Sequence, residues 1–87
     1  MTKEEFKNRV FNWAEKIGVS PKEIHIRKMK RKWGSCSSTG RVSFNKELLE
    51  KDEKFIDYII VHELLHLKYK NHGKLFKLMW EIYLNDS

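Results

Sequence analysis

Residues 53–69 constrain this chain more than any other stretch. Phe55, Ile56, Tyr58, Ile59, Ile60, Val61, Leu64, Leu65 and Leu67 fall around most of a helical circumference rather than along one stripe. Asp52 stands where an N-cap would, which predicts a helix from about Glu53 to Tyr69. A helix that is apolar nearly all round must be covered by other elements. In a chain of 87 residues it has to be the central element, with the rest of the chain as its cover. Its uncharged apolar run, Tyr58 to Val61, is far too short to cross a bilayer, so the cover must be protein.

Candidate covers stand on both sides of it. Residues 2–17 predict an amphipathic helix opened by a Thr2/Glu5 capping box, with Phe6, Val10, Trp13, Ala14 and Ile17 on one face and Gly18 as its stop. Ile24 to Arg27 and Arg41 to Phe44 alternate apolar and polar, separated by the turn signal Ser37-Ser38-Thr39-Gly40. Two or three short antiparallel strands are therefore expected between about residues 23 and 45. Asn71-His72-Gly73 interrupts the central helix, and a last helix is expected over residues 74–84. The reading is an α+β domain: N-terminal helix, small antiparallel sheet, buried helix, C-terminal helix.

Composition narrows the function classes. With 40% apolar and 13% aromatic residues the chain can fill a core, which argues against disorder. A lone cysteine, Cys36, excludes an internal disulfide and zinc fingers built on two or more thiolates. Charges run throughout residues 1–20, unlike a secretory signal. The expectation is one cytoplasmic domain over residues 1–87 with no membrane association. A net charge of +6 and a pI near 9.5 are compatible with an anionic partner, but also with simple solubility.

The chemistry sits inside the most buried helix, at His62-Glu63-Leu64-Leu65-His66. At about 100° per residue the two histidines lie about 40° apart and one turn along the axis, so both imidazoles can reach one ion. Zn²⁺ takes such nitrogens at about 2.0–2.1 Å. Glu63 is offset about 60° from His66, suited to a general base acting on activated water rather than to ligation. A catalytic site needs a third protein ligand and an open position. His72 can supply it only if the chain turns at Asn71-His72-Gly73; on a continued helix it would face elsewhere. Shuffling this composition gives a His-Glu-x-x-His match in roughly 1–2% of cases, and requiring His72 as well lowers that to a few in ten thousand, so accident is a poor explanation.

The chain also resembles the YgjP-like family of predicted metal-dependent hydrolases, relatives of the SprT-like and WLM minimal zincins. The resemblance rests on Arg31-Lys32-Trp33-Gly34-Ser35-Cys36-Ser37, Gly40-Arg41-Val42-Ser43-Phe44-Asn45, Ile56 through Leu67, Asn71-His72 and Phe76. It implies a zincin-like fold, zinc on His62, His66 and His72, and Glu63 as catalytic acid/base. Members of that family are typically longer, with a further N-terminal region.

Other residues carry alternatives. Cys36 as a fourth ligand would close the site, and Glu81 could replace His72. His25 could line the cleft and bind a developing oxyanion, or simply stand exposed on its strand, while Tyr69 and Tyr83 are possible transition-state donors or core and rim packing residues. The run Arg27, Lys28, Lys30, Arg31, Lys32 beside Trp33 has the composition of a nucleic-acid contact, or of a charged strand edge that prevents unwanted pairing. The strand Arg41 to Phe44 could hold an extended peptide. Three functions follow: a zinc metallopeptidase-like hydrolase acting on peptide or protein, a metal-dependent hydrolase of a phosphate ester or nucleotide, and a non-catalytic basic nucleic-acid-binding domain with a structural zinc.

Overall fold

A computed structural model describes residues 1–85; Asp86 and Ser87, the last two of the expected domain, lie outside the described residues. Helix α1 spans Lys3–Ile17, strands β1, β2 and β3 span Glu23–Arg27, Gly34–Cys36 and Arg41–Asn45, and a 3-10 turn follows at Lys46–Glu50. Helices α2 and α3 span Glu53–Leu65 and Lys74–Asn85.

The helix starts are built by the residues that announced them. Thr2 Oγ1 accepts from Glu5 N at 3.1 Å while Thr2 N donates to Glu5 Oε1 at 2.8 Å. Asp52 Oδ1 accepts from Phe55 N at 2.8 Å at the head of α2. Gly18 closes α1 in the left-handed region, φ 83°, which a side chain would resist. The five residues expected on the apolar face of α1 are its five buried ones, while Phe11 stands exposed off that face.

Helix α2 is the centre. Ile56, Ile60, Val61, Leu64 and Leu65 have no exposed surface, and α1, α3 and β2 all pack against this helix. It ends at Leu65, four residues before the expected Tyr69. Beyond it the bonds tighten to i→i−3 spacing: His66 N to Glu63 O, Leu67 N to Leu64 O and Lys68 N to Leu65 O, at 3.2, 3.0 and 3.0 Å. The early stop lets residues 66–73 fold back before α3 begins.

The sheet is mixed, not antiparallel throughout. Its order is β1-β3-β2: β2 pairs antiparallel with β3, whereas β1 pairs with it in parallel. Arg27 is opposite Asn45 and Gly34 opposite Phe44, so β1 ends and β2 begins at the same end of β3. Residues 28–33 merely hop over that end. The Asn45 amide holds them there, donating to Met29 O at 3.1 Å and Lys32 O at 3.0 Å. A local hairpin pattern could not reveal a third strand slotted between β1 and β2. As the middle strand, β3 is buried from Val42 to Asn45 rather than on alternate residues. No helix of the described residues is long and apolar enough to cross a membrane.

Candidate metal centre

Helix α2 delivers His62 and Glu63, its tightened end delivers His66, and the turn before α3 delivers His72. One ring nitrogen of each histidine can be chosen so that all three lie within 4.8 Å of one another. The Nε2 atoms of His62 and His72 are 3.0 Å apart. Two nitrogens bound tetrahedrally to zinc at 2.0–2.1 Å stand about 3.3 Å apart, so the donor set fits a small cation with little adjustment. Phe76 packs under the cluster, its ring centroid 5.4, 4.8 and 4.8 Å from those of His62, His66 and His72. Burial, then the charge of His62, pulls the His66 imidazole below its usual range, which favours the neutral form a metal needs.

Glu63 is nearly enclosed, its side chain 8% exposed, and its Oε2 lies 3.0 Å from His62 Nδ1. Room for it depends on Gly34. A Cβ at that position would stand 2.8 Å from Glu63 Cγ and 3.1 Å from both Glu63 Oε2 and the Ser43 carbonyl oxygen. Sequence reasoning left this residue unassigned, although a glycine inside a strand pattern is itself a signal of close approach.

The cluster opens into a cleft of about 990 Å³ between α2 and the β2 edge, bounded by the Ser37–Gly40 turn and residues 18–22. Cys36 lines this cleft but does not join the ligand cluster, and burial followed by the charge of Glu63 pushes its thiol up, away from the thiolate a metal prefers. Glu81 is exposed on α3 and also outside the cluster.

His25 lies on β1, at the opposite sheet edge from β2, with Nε2 3.4 Å from Glu23 Oε1; it does not line the cleft. Tyr69 and Tyr83 pack against the core instead of facing the cleft. Strand Arg41–Asn45 has a neighbour on each side and offers no free edge for a peptide. Of the basic run, Arg27 sits on β1 and Lys28, Lys30, Arg31 and Lys32 lie exposed in the loop after it, so most of the run is not a strand edge. Trp33 is half-buried edge-on against Phe55 at 5.1 Å, committed to packing rather than presented to stack on bases.

A paired-histidine helix beneath a small sheet, with a third histidine folding back, is the layout of a metallopeptidase-type domain. The chain belongs to the YgjP-like family, whose metallopeptidase-domain model matches residues 1–87. It is 37% identical over 70 residues to an uncharacterized protein of Aquifex aeolicus, covering 77% of this chain and 64% of that one. It is 45% identical over 58 residues to an uncharacterized protein of Methanocaldococcus jannaschii, covering 62% of this chain and 53% of that one. The matched region therefore spans less than two thirds of either curated relative. Among solved structures, the metallopeptidase zymogen jannalysin of Methanocaldococcus jannaschii superposes with a TM-score of 0.79 at 35% identity, over 90% of this chain and 80% of that one. The zymogen abylysin of Pyrococcus abyssi shares the fold, with a TM-score of 0.77 at 24% identity over 87% of this chain and 76% of that one.

Proposed function

We propose that this chain is a zinc-dependent metallopeptidase-type hydrolase acting on peptide or protein, with His62, His66 and His72 as metal ligands and Glu63 as general base. The observation that carries this reading is the convergence of three imidazoles beside one enclosed carboxylate at the floor of an open cleft. A zinc ion held there would polarise the scissile carbonyl and acidify the attacking water. Glu63 receives the water's proton on its carboxylate and passes it to the leaving amine. Through Oε2 it also steadies the His62 ring, the carboxylate support that metal-bound histidines commonly have.

The substrate side is supported by β2. Trp33 O accepts from Asn45 N at 2.8 Å, and Ser37 N donates to Arg41 O at 2.8 Å. By antiparallel alternation, Gly34 and Cys36 then turn their N–H and C=O groups to the free edge. An extended peptide can add there as a further strand, directly beside Glu63.

Zinc content and X-ray absorption at the zinc edge test the metal assignment on protein purified without chelator. One zinc per chain with three nitrogen neighbours and no sulfur is expected, and His72→Ala should weaken binding. A sulfur neighbour, or no zinc after reconstitution, would refute the assignment. Gly34→Ala is a second expectation: by displacing Glu63 it should lower kcat by about 10²-fold with zinc still bound. Unchanged kcat would show that the contact does not position the base.

A further inference from the structure

The cleft carries a charge bias that the proposed reaction does not require. Lys22, Lys68 and Lys70 line it, and among its described lining residues Glu63 is the only acid. Lys68 is anchored, its Nζ donating to Ile17 O at 3.0 Å at the end of α1. Lys22 is placed at the β2–β3 turn, its N donating to Gly40 O at 2.9 Å and its side chain lying over Gly40. Lys70 is exposed on the segment that folds back from α2 toward His72. Among the described residues, none of the three is ion-paired. A concave wall of one sign concentrates ligands of the other.

We propose that these lysines make the cleft selective for peptide segments with acidic side chains flanking the scissile bond, a specificity that rests on the hydrolase reading of the same site. The acidic side chains lie toward the Ser37–Gly40 turn, while the peptide backbone pairs with Gly34 and Cys36. An oligonucleotide fits less well. No phenylalanine, tyrosine or tryptophan is among the described residues lining the cleft, and its histidines, His62 and His66, are taken up by the proposed metal, so the bases would find no free ring to stack on.

The test compares two peptides of one sequence, one carrying Asp and Glu around the cleaved bond and the other Asn and Gln. Zinc-loaded full-length protein is assayed for cleavage, and for binding by fluorescence anisotropy. The acidic peptide should be cleaved with kcat/KM about 10–100-fold higher, mainly through KM, and the advantage should shrink between about 0.05 M and about 0.5 M salt. Lys22→Glu with Lys70→Glu should abolish the preference while leaving cleavage of the neutral peptide and the melting temperature unchanged. Lys22→Gln with Lys70→Gln provides a milder pair, expected to give a partial loss, should the reversal fail to fold. Equal handling of both peptides by the wild type would overturn the proposal and leave the hydrolase reading intact. Charge-selective, lysine-dependent binding without cleavage of either peptide would uphold the cleft's preference and defeat the hydrolase reading. A single-stranded oligonucleotide binding more tightly than the acidic peptide, with the same lysine dependence, would also overturn the proposal.

Discussion

Glu63→Gln should retain zinc and lose turnover by about 10²–10⁴-fold, the usual contribution of a positioned general base. The exchange nearly preserves volume, which matters where the side chain is 8% exposed and packed against Gly34. The amide oxygen can still accept a hydrogen bond from His62 Nδ1, so the ring should keep its orientation. What the amide cannot do is take a proton from water. Zinc stoichiometry and peptide cleavage measured on the same preparation check this. Turnover within threefold of the wild type would remove Glu63 from the mechanism; loss of zinc as well would make it a support for the ligands instead.

A large effect on stability is expected from Asp57→Ala on α2. Arg9 grips this carboxylate with both arms, Nε to Oδ1 at 2.6 Å and Nη2 to Oδ2 at 2.9 Å, while Trp13 Nε1 donates to Oδ1 at 2.8 Å. The pairing raises the Arg9 guanidinium further above its already high range. Deleting the carboxylate strands an indole N–H and a charged fork in a half-buried seam between α1 and α2. After allowance for the 29% exposure of the arginine side chain, the expected cost is about 2–3 kcal/mol. For a domain of this size that lowers the melting temperature by about 10–20 °C. Asp57→Asn keeps an acceptor for Trp13 and should lose less. Glu53, 72% exposed and 3.4 Å from Arg9, is the contrast: Glu53→Ala should change stability by less than about 0.5 kcal/mol. Equal losses at positions 53 and 57 would refute the bidentate account.

Much of the helical frame was legible because its signals are local. A capping box at Thr2 and Glu5, an N-cap at Asp52 and the apolar face of α1 each involve residues within a few turns of one another. The His62–His66 spacing is legible for the same reason, being a property of one helical turn. The convergence of His72 was only conditional in the sequence, since it needed a turn whose path the residues 66–73 permit but do not dictate. The parallel pairing of β1 with β3 was not legible at all. It depends on a loop hopping over a strand that comes later in the chain, held by an asparagine amide with no periodic signature. Topology also decided between readings the sequence left open. His25 is an exposed strand residue on the far sheet edge, Arg41–Asn45 is the middle strand, and Trp33 is spent on packing.

By itself the sequence determined a central, predominantly apolar helix, its covering elements and two histidines with a glutamate on or at the end of it. These follow from backbone hydrogen bonds and side-chain periodicities that close within a turn or two. Only the tertiary structure decided that β2 is the free edge beside Glu63, that Gly34 makes room for that carboxylate, and that Lys22, Lys68 and Lys70 line one cleft. Each of those facts joins residues far apart in the chain. Such contacts are fixed by which packing of the elements best buries α2, a choice that no single segment encodes.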